Sequence, residues 1–410
     1  MKVVNRLIKN TVMLYVLTAA KIIFPLITLP YLTRVLSEST YGTVAYVKAF
    51  MSYIQLFIDF GFVLSATKKI TLANNNKETI SFILWDTIIE KLILSFVSFM
   101  VLLICIAVIP ILRANALFTI LYFLSLVLSI VFVDFYYRGI EKMEMVAIPF
   151  VMQKAGITIL TLFLIKKDED IMLIPFLEII GTITAGIIVV KFLLKDKLEF
   201  KVSSIKKLLS DIKESSIFFA SNFATTFLGS FTTIIAGFAL TAEDIAYWSV
   251  CMQLVSAVKV MYSPITNSLY PYMIKEPRRS TIRKTMILFM PVIIFGCGFT
   301  FSFSNLILCI LGGEKYAMAG DTLRYLVPVL FFSFPSMLFG WPTLGAIGKE
   351  KETTITTIIA GLFQAASIIT LLILEAITLQ TLAISCMAAE FVLFIMRYYY
   401  YIKNRILFVK

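Results

Sequence analysis

The chain has 410 residues, 60% hydrophobic and 15% charged, with 37 Lys and Arg against 25 Asp and Glu and a formal net charge of +12. Its mean hydropathy of +0.92 is more apolar surface than a water-soluble domain can cover with polar faces, so a soluble fold is excluded. The basic balance does not require nucleic acid, because cytoplasmic loops of membrane proteins are enriched in Lys and Arg. Histidine is absent, which removes His metal ligands, His-dependent catalytic triads and His proton relays. The five cysteines (Cys105, Cys251, Cys297, Cys309, Cys386) stand singly in apolar segments with no CxxC pair. They read as buried thiols. No catalytic group, metal site or cofactor is expected.

The N-terminal stretch MKVVNRLIKNTVMLYVLTAAK lacks a small-residue cleavage site and runs on into a full span, so it reads as a retained first helix. About twelve spans follow from apolar runs of about 20 residues. They centre on 11–33, 42–63, 90–112, 116–136, 147–165, 171–192, 216–239, 245–268, 285–310, 324–344, 354–374 and 378–401. With both termini cytoplasmic, the inside segments carry Lys2, Arg6, Lys9, Lys68, Lys69, Lys77, Arg138, Lys142, a basic run from Lys191 to Lys213, Lys275 to Lys284, and Arg397 to Lys410. The outside loops hold little more than Arg34, Arg113, Lys166, Lys167, Lys315 and Arg324, an asymmetry that supports an even number of spans.

The longest polar interruption, KDKLEFKVSSIKKLLSDIKESS, falls near the middle of the chain. Ile205, Leu208, Leu209 and Ile212 within it are spaced for an amphipathic helix on the cytoplasmic membrane surface. The chain therefore divides into a six-helix lobe (1–194), a connector (195–215) and a second six-helix lobe (216–410), the two-lobed plan of many transporters. Pro328, Pro335 and Pro342 recur at seven-residue intervals in the tenth span, where each removes a helix hydrogen bond and invites a kink.

Lys21, Lys48, Lys154 and Lys259 lie inside these apolar segments. A lysine near the bilayer centre costs about 2.5–3.5 kcal/mol, so it faces a water-filled cavity or a partner. On the second span Tyr41, Lys48, Ser52, Gln55 and Asp59 fall within an arc of about 60° at 100° per residue. Lys48 and Asp59 are about 16 Å apart along that stripe, too far to neutralise each other. Lys21 shares a face of the first span with Asn10 and Thr28, and Lys259 borders a face carrying Gln253 and Asn267. Asn222 is one of a run of polar residues on the seventh span. Lys154 sits within about two turns of the cytoplasmic end, so snorkelling is the alternative for it. Asp86, Glu90 and Lys91 precede an uncharged run from Leu92 to Leu112 and read as an interface marker. Asp59, Asp134, Glu178 and Glu390 either pair with the lysines or carry protons for ion coupling, with Asp59 the first choice. Several buried cations with few acids favour an anionic cargo. GAIGKE at Gly345–Glu350 lacks the spacing and the terminal Ser/Thr of a Walker motif, so no ATP motor is indicated.

The segment PYLTRVLSESTYGTVAYVKAFMSYIQLFIDFGFVLSATKKI (30–70) resembles the N-terminal signature of bacterial polysaccharide transporters. Pro30, Tyr31, Leu32, Arg34, Val35, Leu36, Tyr41, Gly42, Phe60, Gly61, Ser65, Ala66 and Thr67 match it. FYYRGIEKMEMVAI (135–148) resembles the family's Gly-Ile-Glu-Lys-Met motif, with weaker matches at 311–328 and 344–353. Ser37-Glu38 and Lys69 depart from the common pattern. The resemblance implies an all-α, MATE-like membrane fold of the MOP flippase superfamily, two six-helix lobes around a central cavity. It implies a flippase of the bacterial plasma membrane that moves undecaprenyl-diphosphate-linked oligosaccharide outward by alternating access, for O-antigen, capsule or exopolysaccharide. Arg34 and the span lysines would engage diphosphate or acidic sugars, and the polar stripes would line the sugar path. Implied partners are membrane lipid, H+ or Na+ as coupling ion, and the polymerase and glycosyltransferases of the same pathway. The rival readings are a MATE-like cation or drug exporter, a membrane polysaccharide polymerase and a non-transporting membrane scaffold. The acid-poor spans count against the exporter and the short outside loops against the polymerase; a scaffold leaves the buried lysines unexplained.

Overall fold

The computed structural model describes residues 2–73 and 76–409, with side chains throughout except those of residues 2–8, 217, 221–222, 224–230, 267 and 271. Among the described residues the fold is helical, with a lone β-bridge between Arg278 and Val409. The chain separates into two compact units, Met1–Phe223 and Ala224–Lys410. Eleven helical stretches are long and apolar enough to cross a membrane. The predicted seventh span coincides with a further helix, Ile205–Ala239.

The first unit contains α1 (Lys2–Val35), α2 (Glu38–Asp59), α3 (Phe62–Leu72), α4 (Lys77–Val108), α5 (Pro110–Ala114), α6 (Ala116–Leu128), α7 (Asp134–Gly139), α8 (Glu144–Leu164), α9 (Leu173–Asp196) and the first turns of α10 (Ile205–Ala239). The helix starts follow from capping. Ser37 Oγ accepts the Thr40 N–H at 3.3 Å, and Asn76 Oδ1 accepts those of Glu78 and Thr79 at 3.0 and 3.2 Å, satisfying donors that a helix end leaves orphaned. The second predicted span breaks at the Phe60–Gly61 motif, where Gly61 has φ +79°, a left-handed backbone that glycine adopts without steric cost. A Cβ on Gly61 would lie 2.7 Å from Phe218 Cβ, so the residue also lets α10 pack closely. Ala66, Ile70, Leu84, Phe135, Tyr137 and Val189 form the core that joins α3, α4, α7 and α9.

The stretch predicted as a connector is partly non-helical (Leu198–Ser204), and from Ile205 it is the start of α10. Asp211 and Ser215 are buried there, so this part of the helix is packed in the first unit.

The second unit continues with α11 (Ala242–Lys275), α12 (Arg279–Ser302), α13 (Ser304–Gly312), α14 (Gly320–Leu338), α15 (Glu350–Ile373) and α16 (Leu379–Lys403). Thr241 and Asp244 exchange side-chain and backbone hydrogen bonds in a capping box that starts α11. The proline-bearing tenth span does break. After α14 the helix widens into a π segment (Phe339–Leu344), with Gly340 at ψ −120° two residues before Pro342. Gly340 is needed for a second reason, since a Cβ there would meet Arg397 Nη1 at 2.8 Å. The most apolar window of the span 314–347 is 67% buried, whereas that of α12 is 6% buried. Side chains such as Phe96, Phe163 and Phe295 are largely exposed, as expected of surfaces that meet lipid tails.

Candidate functional site

Seven helices of the first unit bring polar and charged side chains to one cavity of about 390 Å3. Asp59 reaches it because α2 ends there, one residue before the Phe60–Gly61 break. A carboxylate at a helix C-terminus is disfavoured by the macrodipole, and two donors offset this. Gln55 Nε2, one turn earlier, donates to Asp59 Oδ2 at 2.8 Å, and Lys91 Nζ of α4 donates to Oδ1 at 2.8 Å. Lys91 is 5% exposed and also lies 5.6 Å from the Phe135 ring centroid.

A second pair stands on α8 and α9. Lys154 Nζ donates to both oxygens of Glu178, at 2.9 and 3.2 Å, and Tyr122 Oη donates to Glu178 Oε1 at 3.4 Å. Thr182, a turn further on, donates to the Glu178 carbonyl at 2.7 Å and accepts from Gln153 Nε2 at 2.8 Å. Asp134 and Arg138 pair at 3.5 Å within α7. Lys21 of α1 is different. Its Nζ lies 5.7 Å from the Phe150 ring centroid and forms no ion pair among the described residues. The lining therefore carries four cations (Lys21, Lys91, Arg138, Lys154) against three carboxylates (Asp59, Asp134, Glu178).

Lys21, Gln55, Asp59, Asp134, Lys154 and Glu178 are thus brought together as one lining, although the predicted stripe on the second span is not one surface. Tyr41 is buried, and Ser52 Oγ donates to its own helix at the Ala49 carbonyl. Lys48 is accessible and lies outside the lining, with Glu178 and Lys154 as the charges that act on it. Arg34, at the end of α1, is exposed and donates to the Pro30 carbonyl at 2.6 Å.

In the second unit, Lys259 Nζ donates to Glu390 Oε2 at 2.9 Å, and Ser336 Oγ to Oε1 at 2.8 Å. Gln253 is half-buried. The side chains of Asn222 and Asn267 lie outside the described residues.

Three expectations about charge placement change. Lys91, read as an interface marker, lines the cavity. Arg138, assigned to a loop, lines it too. Arg397, assigned to a cytoplasmic end, is 8% exposed and donates to the Ser336 carbonyl at 2.8 Å and to Thr357 Oγ1 at 3.0 Å.

Residues 7–276 match the family model described as "Polysaccharide biosynthesis protein". A Shigella dysenteriae protein named "Putative O-antigen transporter" is 28% identical over 351 residues, 84% of this chain and 87% of its own length. An Escherichia coli (strain K12) protein of the same name is 24% identical over 401 residues, 95% of this chain and 96% of its own. Among solved structures, an outward-facing MATE family multidrug resistance transporter of the MOP superfamily aligns with TM-score 0.62 at 12% identity, over 98% of this chain and 96% of that one. An inward-facing one aligns with TM-score 0.61 at 14% identity, over 96% and 98%. These structures speak for the fold, which is MATE-like, and the match over two-thirds of the sequence speaks for the family. The chain is a multi-pass membrane protein that belongs to the polysaccharide biosynthesis protein family.

Proposed function

We propose that the chain is a flippase that carries undecaprenyl-diphosphate-linked oligosaccharide from the cytoplasmic to the outer face of the bacterial plasma membrane for surface polysaccharide assembly. It works by alternating access of two helical lobes, driven by an ion gradient, with both termini cytoplasmic. The observation that carries this reading is the uneven charge of the cavity in the first unit. Each of its three carboxylates already faces a cation, so the lining offers no free acid to a cationic cargo, while Lys21 is left over. A lysine about 4 Å from a phosphate charge gains about 4 kcal/mol at an effective dielectric near 20, enough to offset its insertion cost. Lys48, close to the Lys154–Glu178 pair, supplies a second accessible cation. The names of the two bacterial relatives point the same way.

The test is transbilayer movement of a lipid-diphosphate-linked oligosaccharide in proteoliposomes. Lys21→Ala and Lys48→Ala are each expected to slow it about tenfold, the equivalent of losing about 1.4 kcal/mol of binding. Lys9→Ala, which removes an exposed pair with Glu144, is expected to leave it unchanged. Wild-type rates in both the Lys21 and Lys48 variants would sink the anion-cavity reading.

A further inference from the structure

A second set of buried charges lies away from the cavity, where α3, α4 and the first turns of α10 meet. Glu90 of α4 is 2% exposed, and its Oε1 is buried with no hydrogen-bond partner. No other carboxylate among the described residues has an oxygen in that condition. Asp59, Glu178 and Glu390 each have a lysine at 2.8–2.9 Å, and Asp86 accepts the Ser203 N–H at 2.8 Å.

The charged groups that face Glu90 are Lys69 from α3, Asp86 from its own helix, and Asp211 and Lys207 from α10. Ser65, Thr87 and Ser215 complete the small pocket around it. Neither lysine bonds to its buried oxygen. Lys69 Nζ bridges Asp211 at 3.1 Å and Glu214 at 3.0 Å, and Lys207 Nζ binds Asp211 at 2.7 Å. An ionised Glu90 would add a third carboxylate beside Asp86 and Asp211, with one buried oxygen lacking any protein donor. The neutral acid has no net charge to desolvate and brings a donor of its own.

We propose that Glu90 is a proton-binding site whose occupancy controls the packing of α10 against α3 and α4. One proton converts the carboxylate to the acid when the three helices are packed as described, and the same proton leaves when α10 separates and water reaches the group. Losing it places like charges across the α4–α10 contact and competes for Lys69, which also holds α10 through Asp211 and Glu214. The role of this switch in transport rests on the flippase reading, where it locates the coupling proton at Glu90 instead of Asp59. The proton site itself does not depend on that reading.

The test uses the purified full chain without cargo. Infrared pH-difference spectra are expected to show the carbonyl band of a buried carboxylic acid, absent in Glu90→Gln and moved in Glu90→Asp. Hydrogen exchange of the 205–215 amides, corrected for the intrinsic pH dependence, is expected to lose protection by up to about tenfold per pH unit as pH rises from the ordinary carboxyl range to the infrared transition, the slope of one linked proton, and to level off above it. Glu90→Gln, which imitates the neutral acid, is expected to keep protection at all pH values. Spectra identical in wild type and Glu90→Gln would overturn the proposal. If Glu90→Gln does not fold, an unmoved band in Glu90→Asp overturns it instead. Failure of these measurements leaves the flippase reading standing. A confirmed band without lipid-linked oligosaccharide movement refutes the flippase reading alone.

Discussion

Replacing Asp59 by Asn isolates the value of the Lys91–Asp59 pair. The Lys91 side chain is 6% exposed and that of Asp59 29%, and the bond between them is 2.8 Å. Removing one member of a buried pair costs about 3–5 kcal/mol, because the other charge is left uncompensated. Asn keeps one acceptor for Lys91, a hydrogen bond to a charged group that retains about 1.5 kcal/mol, while the Phe135 ring at 5.6 Å contributes alike to both forms. The expected loss is therefore about 2–3 kcal/mol. Lys91→Met should cost less, about 1–2 kcal/mol, because Asp59 is more exposed and keeps its bond from Gln55. The double variant buries no charge and should lie within about 1 kcal/mol of wild type. Thermal unfolding in detergent, followed by helical circular dichroism, reads these differences at about 2–4 °C per kcal/mol for a body of this unit's size. A midpoint shift under about 2 °C for Asp59→Asn, or a double variant as poor as the sum of the singles, would refute the pair as described.

Gly61→Ala should destabilise by about 2–3 kcal/mol, combining left-handed backbone strain with overpacking at the contact 2.7 Å from Phe218 Cβ; a silent substitution in the same melt would show that α10 does not approach so closely. Lys259→Met should cost about 3 kcal/mol by leaving Glu390 with the Ser336 hydroxyl, and Lys259→Met/Glu390→Gln should recover most of it, so equal losses in the two would deny an ion pair there.

The helical, multi-span character was legible because a membrane helix writes its length into an uninterrupted apolar run. Boundaries inside the runs were not. The α2–α3 break depends on Phe60 and Gly61 adopting left-handed backbone, which hydropathy does not register. Lys91 was misplaced because it adjoins the uncharged run Leu92–Leu112, yet α4 has 32 residues and extends about 48 Å. That is longer than the hydrocarbon core of about 30 Å, so sequence alone cannot say which part of the helix lies deep. The lysines were found by type and depth and the acids were named as candidate partners, but which acid meets which lysine was not legible. Lys154 meets Glu178 and Lys259 meets Glu390 across different helices, and no helical period connects such positions. The predicted stripe included Ser52, whose hydroxyl bonds its own helix, an outcome open to any serine on a helix.

The contrast between α12 and the helix that contains α14 has an evolutionary consequence. On the exposed face of α12, at Ile287, Leu288, Val292, Ile294 and Phe295, in a helix with 6% of its apolar window buried, exchanging Ile for Leu or Phe alters which acyl chains touch the protein and little else. Along 314–347, with 67% buried, the same exchange must be accommodated by α11 and α16. Drift among descendants of this chain should therefore be fast and composition-preserving on α12, and slow and correlated with neighbours on α14. An alignment of relatives would then outline the lipid-facing surface by its rates of change alone.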